Sequence, residues 1–305
     1  MNGDIRQLLH RQLSQDGPLS GMLARYSGGP AIFYQKAPSD SRPGWGDPRY
    51  PRADFSVDMR QDPERHTAGT LACNIFVTNE CAAENGTDPD RAIEERLKEL
   101  ISGTFYTDGG GGTICAEWDR SDEFSLEGNE HGTSQPEVYG LTAAFELMAF
   151  PEQLTADPDP IEGLNRWTKE RFGAVSMIAY DRMPEVWKPS DENPAVYWRF
   201  EGASGTDRQS YAVTWLTGQF AAHVIAGTVA GRNRWLKAIM ERARAEGEII
   251  LADGSPMFLK QASVRHGADP LREGQLLLTG QYGILTGEPE ETARFRLDHA
   301  YFSKA

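Results

Sequence analysis

Helical and extended spacings of apolar residues follow one another along this chain in a definite order, and that order then recurs. Ile5, Leu8, Leu9 and Leu13 fall on one helical face. A short strand is expected over residues 31–35, then a loop over 37–51 rich in proline and glycine. Residues 52–59 alternate, Ala53, Phe55, Val57 and Met59 against Arg52, Asp54, Ser56 and Asp58, which predicts a strand with one wet face. A polar turn at 60–66 leads to a second strand over 67–78, with Leu71, Cys73, Ile75 and Val77 on one side. Asp88 and Pro89 then open a helix: aspartate at a cap can accept first-turn N–H groups, and proline fits the first helical position. Ile93, Leu97, Leu100 and Ile101 form its buried stripe and Gly103 ends it. Asp108 and the glycines after it turn the chain into a strand over 113–118, an acidic loop over 119–137 and a closing strand over 138–150.

After a linker at 151–160 the order returns. Asp159-Pro160 caps a helix carrying Ile161, Leu164 and Trp167, and a short strand follows over 175–180. A proline-rich loop precedes a strand at 195–201, a polar turn at 202–209 and a long strand through Val213, Trp215 and Phe220. Thr228 starts a helix with the stripe Leu236, Ile239, Met240 and Ala243; Asp253-Gly254 makes a turn, and strands follow at 256–264 and 275–285. Tyr50-Pro51 matches Asn193-Pro194 before a strand, Asp62-Pro63-Glu64-Arg65 matches Thr206-Asp207-Arg208-Gln209, and Asp108-Gly109 matches Asp253-Gly254. The expectation is therefore an α+β chain, a tandem duplication of an α-β-β-β-α-β-β unit over 1–152 and 153–305. Each unit has a mostly antiparallel sheet with helices on one face.

The formal net charge of −14 is unevenly spread, −12 over residues 1–153 and −2 over 154–305. Such a chain does not hold nucleic acid through its phosphates, though an acidic wall suits a passage through which DNA slides. Three cysteines, Cys73, Cys81 and Cys115, with no Cys-x-x-Cys, argue against a disulfide framework or a structural zinc. The N-terminus lacks a basic-then-apolar signal pattern and no window approaches a membrane span, so synthesis in a reducing cytoplasm is expected. Asn85-Gly86-Thr87 forms a sequon, which without secretion reads as a turn.

The chemistry-bearing residues form no coherent site. Gly109 to Gly112 lead into a strand without the lysine of a phosphate loop, and Gly202-Ala203-Ser204-Gly205 is too short for a nucleophile elbow. The histidines His10, His66, His131, His223, His266 and His299 show no His-x-x-x-His pair, and His223 reads as a core or interface histidine. Glu117, Asp119, Asp122, Glu123, Glu127 and Glu130 crowd the 117–130 stretch, but a charged loop in water does not drive carboxylate pKa values apart, and the spacing is not that of an EF-hand. Neither catalytic residues, a cofactor site nor a metal site is assigned. Trp45, Tyr50 and Trp187 lie in loops, where they pack locally or anchor a subunit interface.

Several stretches resemble phage tail terminator or tail completion proteins of the prophage type: Ile32 to Pro38, Gly44-Trp45, Tyr50 to Phe55, Asp62 to Arg65 with Ala68-Gly69-Thr70, Trp187-Lys188-Pro189, Pro194 to Arg199, and Asp253 to Phe258. The resemblance implies a structural virion protein, not an enzyme. It would form a ring with copies of itself, six chains favoured over three, dock on the last ring of tail-tube protein and present another surface to the neck connector of the head. DNA would only pass through the lumen and no membrane would be involved. Loops 37–51, 119–137 and 183–194 are the expected contact regions. The doubling departs from single-domain terminators. Another neck, baseplate or minor tail part is the first alternative; a metal-dependent hydrolase using the 117–130 carboxylates and a small-molecule binding module are the others.

Overall fold

The computed structural model describes residues 4–59, 67–81, 88–107, 112–126, 138–153, 158–209 and 213–285. The expected turns at 60–66 and 108–111 and the 127–137 part of the acidic stretch lie outside those residues. The fold is mixed α and β, with two mostly antiparallel sheets and helices packed against each.

Helix α1 (Ile5–Gln15) buries Leu8, Leu9 and Leu13, the face its spacing predicts, and Asp4 caps it by accepting the Arg6 N–H. A short α2 (Gly17–Met22), unforeseen in the sequence, is capped by Asp16, which accepts the Leu19 N–H at 2.8 Å. Strands β1 (Arg25–Tyr26) and β2 (Gly29–Pro30) form a small hairpin, also unforeseen, before β3 (Ile32–Tyr34). Strands β4 (Arg52–Met59) and β5 (Thr67–Thr78) keep the predicted bounds. Helix α3 (Pro89–Ile101) buries Ile93, Leu97 and Ile101, but its cap residue Asp88 makes no side-chain cap bond; the expected Asp88 cap is corrected. Gly103 then takes φ +70°, a left-handed geometry that lets the chain leave the helix directly into β6 (Thr104–Thr107).

Strand β7 (Thr113–Leu126) overturns the expected acidic loop from residue 119 onward: the chain stays paired with β8 (Val138–Phe150) through Leu126↔Val138, with an irregularity between Trp118 and Arg120. The first half contributes to the first sheet the order β6-β7-β8-β5-β4-β3, β3 lying parallel to β4 and the other neighbours antiparallel. The apolar positions of β4, β5 and β8, among them Phe55, Leu71, Ile75, Leu141 and Phe145, meet the stripes of α1 and α3 in one core. Burial of each such side chain contributes about 1.5–3 kcal/mol.

Helix α4 (Pro160–Arg171) is capped as predicted, Asp159 Oδ1 accepting from Ile161 N at 2.8 Å and Glu162 N at 3.2 Å. Strand β9 (Ser176–Met177) is shorter than the expected 175–180, and the two residues of β10 (Val186–Trp187) were not expected. Strand β11 (Ala195–Gln209) runs through the predicted turn at 202–209; Gly202, at φ +142°, marks an irregularity but Ala203↔Gly218 and Ser204↔Thr217 keep the ladder with β12 (Val213–Ile225). Helix α5 (Val229–Glu246) is capped by Thr228 and closed by Gly247 at φ +71°. Strands β13 (Glu248–Ile250), β14 (Pro256–Val264) and β15 (Leu276–Leu285) complete a second sheet of order β13-β14-β15-β12-β11-β9, with β9 parallel to β11 and the rest antiparallel. A second core lies between this sheet and α4 and α5, including Leu164, Trp198, Phe220, Leu236, Ile239 and Leu278.

Candidate interaction surfaces

The strand β10 leaves its own half and pairs antiparallel with β6, so the first sheet reads β10-β6-β7-β8-β5-β4-β3. Val186 stands opposite Tyr106 and Trp187 opposite Phe105, and the Thr107 N–H donates to the Glu185 carbonyl at 2.9 Å. Main-chain pairing of this kind is how an extended segment completes a sheet edge, with side-chain pockets setting register. Here the Trp187 ring stacks on Phe105 at 4.6 Å and 20°, and Phe105 is fully buried. Arg11 of α1 clamps Glu185 at 2.5 Å, and Lys188 Nζ reaches the Glu99 carbonyl at 3.1 Å.

Behind β10 the halves share a third apolar cluster. Phe105, Cys115, Met148 and Phe150 of the first sheet meet Ile178, Tyr197, Ile225 and Leu271 of the second half. The Tyr197 hydroxyl donates to the Pro151 carbonyl at 2.8 Å and accepts from Gln153 Nε2 at 2.8 Å. Burial pushes its phenol up to about 12, so it stays protonated as a donor. His223 is buried in the same region against Phe150 and Tyr197, its Nδ1 2.8 Å from the Pro270 carbonyl. A sheet interior is where the sequence placed this histidine, and a fixed Nδ1 suits a structural role.

The 37–51 connection is held down by aromatics. Trp45 packs edge-on against Tyr26 at 5.0 Å and Phe33 at 5.6 Å, and its indole N–H donates to the Ser39 carbonyl at 3.1 Å. The Arg52 guanidinium lies over Tyr50 at 4.4 Å and Trp45 at 5.3 Å while pairing with Asp40. Ser41 to Gly44 and Gly46 to Arg49 are exposed around this anchor. The 183–194 connection is pinned at its far end by Asp191, whose carboxylate accepts from Thr228 N at 2.8 Å and Thr228 Oγ1 at 2.6 Å. Those bonds hold its pKa below the ordinary aspartate value.

The acidic stretch is spread along β7 as ion pairs. Asp119 and Asp122 flank Arg120 at 2.8 and 3.1 Å, and Glu123 pairs with Arg91. Buried Glu94 of α3 faces β7 and accepts from Ser121 Oγ, Arg91 and Lys98. Burial raises the Glu94 pKa, but hydrogen bonds from Lys98, Ser121 and Arg91 outweigh it and leave a net lowering. Glu127 and Glu130 lie outside the described residues. Among the described residues no group of three or more His, Cys, Asp or Glu is placed to hold a metal ion. His66, His131 and His299 fall outside the description, His10 lies beside Phe55 and His266 contacts Asn233.

Cys73 and Cys115 are buried and Cys81 half-buried, all free. Burial, with Asp54 adding to it, pushes the Cys73 thiol up to about 12; burial likewise raises Cys115, so both are unreactive packing residues. No described helix is long and apolar enough to cross a membrane.

What the arrangement offers is edges and faces for docking. Sequence reasoning placed Trp45 and Trp187 in contact loops but missed β6, the strand β10 that covers its outer side, and the edge strand β13. The outward signal was the pairing of a loop tryptophan with a proline-led strand start, Trp187 before Pro194 and Trp45 before Pro51. No protein-family model matches the chain, and no curated protein matches it.

Proposed function

We propose that this chain is a structural phage tail protein. We read it as a tandem duplication of one α-β-β-β-α-β-β unit that forms a ring, terminates the tail tube and joins it to the head-proximal neck. The observation that carries this reading is the matched topology: β6-β7-β8-β5-β4-β3 and β13-β14-β15-β12-β11-β9 have the same chain order, with the same parallel outer pair. The second half also adds a strand to the first half's edge, so one unit already docks on another. Two like units joined by unlike surfaces form a heterologous contact, which closes into rings when the rotation allows.

On this reading the chain works without catalysis, and it resides in the virion tail or neck after synthesis in the host cytoplasm. Six chains are favoured over three, tail-tube protein meets one face and the head connector the other, and DNA passes through the lumen. The acidic first half suits that passage, because like charge opposes adsorption of the duplex. Electron microscopy of particles assembled without the chain tests the proposal. Overlong tails, or tails that never join heads, are expected; tails of normal length joined to heads would refute it, and a defect confined to the baseplate would move the chain to the far end. The hydrolase alternative predicts micromolar divalent-metal binding by calorimetry that Asp119→Ala with Glu123→Ala abolishes.

A further inference from the structure

We propose that copies of this chain associate head to tail, the exposed segment around Trp45 in one copy adding as a strand to the β13 edge of the next. The inference rests on the reading of the two halves as copies of one unit. Within the chain, the connection between a short parallel strand and the long strand beside it (178–194, between β9 and β11) supplies β10 to the edge strand β6. Its counterpart in the first half is 35–51, between β3 and β4, and the counterpart of β6 is β13. Both edge strands follow a helix through a left-handed glycine, Gly103 and Gly247. Both connections contain one tryptophan and re-enter the sheet through a proline, Pro51 or Pro194.

One contact is filled and the other open. Phe105, on the outer side of β6, is fully covered under Trp187. Ile250, on the outer side of β13, is 46% exposed. Leu259 N–H bonds Gly247 O and Leu251 N–H bonds Ser255 O, so the main-chain groups of Glu248 and Ile250 point away from the sheet. Arg166 meets the carbonyls of Ile250 and Leu251, leaving the N–H of Ile250 and both groups of Glu248 at the edge. Beside them, between α4 and β13, lies a recess of about 630 Å³ lined by Arg166, Trp167, Glu170, Glu248 and Ile250. In sequence Arg166 follows its helix cap Asp159 at the same spacing at which Arg11, which clamps the docked segment in the first half, follows Asp4.

The incoming segment has a free edge of the right kind. Ser27 N–H bonds Gly44 O and Gly46 N–H bonds Arg25 O, and Tyr26 bridges antiparallel to Trp45. In that pattern the N–H and C=O of Trp45 itself point away from the β1–β2 hairpin. The segment carries Lys36, Arg42 and Arg49 against Asp40 and Asp47, a small positive excess, and the recess carries Glu170, Glu246 and Glu248 against Arg166 and Arg171, a small negative one. The occupant is a second copy: the 35–51 connection flanks β3 at one end of the first sheet, and β13 ends the second sheet, with the β6–β10 junction between them.

The test uses the full chain. A photoreactive benzophenone amino acid replaces Ile250, the protein is irradiated, and the cross-linked peptides are mapped while light scattering gives the mass. Multimers whose cross-link joins position 250 to a peptide within 35–51 are expected. Ile250→Lys, at an exposed position, keeps the melting temperature and weakens self-association at least about tenfold, as loss of an interface anchor does. A chain that stays monomeric at its highest soluble concentration overturns the inference, as do cross-links to any other segment or an Ile250→Lys multimer of unchanged strength. Rings seen by microscopy with cross-links elsewhere sink this contact and leave the terminator reading standing. A mapped 250-to-35–51 contact in a chain whose removal leaves tails normal does the reverse.

Discussion

Asp54 and Glu94 are buried carboxylates whose surroundings push them in opposite directions. Asp54 lies on β4 in a cross-strand row with Asn74 and Thr142; Asn74 Nδ2 donates to it at 2.7 Å and Thr142 Oγ1 donates to Asn74 Oδ1 at 2.7 Å. Burial dominates and raises its pKa, against the lowering effects of Asn74 and Arg52. A raised folded pKa means the native state holds the proton more tightly than the unfolded chain, so stability is lost as pH rises above 3.8 through the folded value. Asp54→Asn keeps an acceptor for Asn74 and has no charge to bury. It is expected to raise the melting temperature by a few degrees at neutral pH, with the gain vanishing in scans below the ordinary aspartate pKa. Glu94 has the opposite sign: its lowered pKa gives stability that is present above 4.5 and lost as pH falls through the folded value. Glu94→Gln leaves Lys98 and Arg91 facing a neutral amide. A cost of about 1–3 kcal/mol at neutral pH, shrinking in acid, is the expected result of denaturant titrations.

At the scale of elements, glycines separate two kinds of constraint. A Cβ on Gly140 of β8 would overlap the Ile75 carbonyl of β5, a backbone atom with no freedom to withdraw. A Cβ on Gly247 meets nothing within 4 Å, yet its φ of +71° is one that L side chains resist. Gly247→Ala should cost about 1–2 kcal/mol, read as a modest loss in melting temperature. Gly140→Ala should reduce soluble yield outright; equal behaviour of the two would contradict the close approach of β5 and β8.

The legible elements were those whose apolar stripe meets a core. The bounds of β4, β5 and β8 and the stripes of α1 and α3 could be read because Phe55, Leu71, Phe145 and Leu97 each recur at the period of their element. The region after Trp118 was misread because the charged start of α3 covers it: its helix-side residues are Ser121 and Glu123, paired with Glu94 and Arg91, so the apolar alternation disappears although the ladder continues. Residues 202–209 were misread because glycine and serine suggested a turn, while pairing with β12 at Gly202 to Gly205 and again at Gln209 keeps the strand going through an irregularity. Strands β6, β13 and β10 are too short for any period to register. Of the candidate surfaces, the loop tryptophans were visible and the sheet edges were not, since an edge is a property of the whole sheet.

For the molecule as a whole, the junction cluster decides whether the halves unfold together. Phe105, Phe150, Tyr197 and Leu271 belong to neither principal core, and their burial links the two. With β10 paired to β6 and Tyr197 bonded to Pro151, separating the halves exposes apolar surface and breaks a strand pairing at once. Calorimetry of the intact chain should therefore give one transition. Trp187 is half-buried and packs on Phe105 without entering either principal core, so Trp187→Ala loosens the junction and little else. Its expected cost is about 2 kcal/mol, below the usual range for a fully buried aromatic because the ring is partly exposed already. The more telling consequence is a loss of cooperativity, because each half keeps its own core while the coupling between them weakens. Two resolved transitions, or a van't Hoff enthalpy well below the calorimetric one, would establish that the junction is what makes one cooperative body of two sheets. A single unbroken transition at lower temperature would instead mean that the other contacts carry the coupling without Trp187.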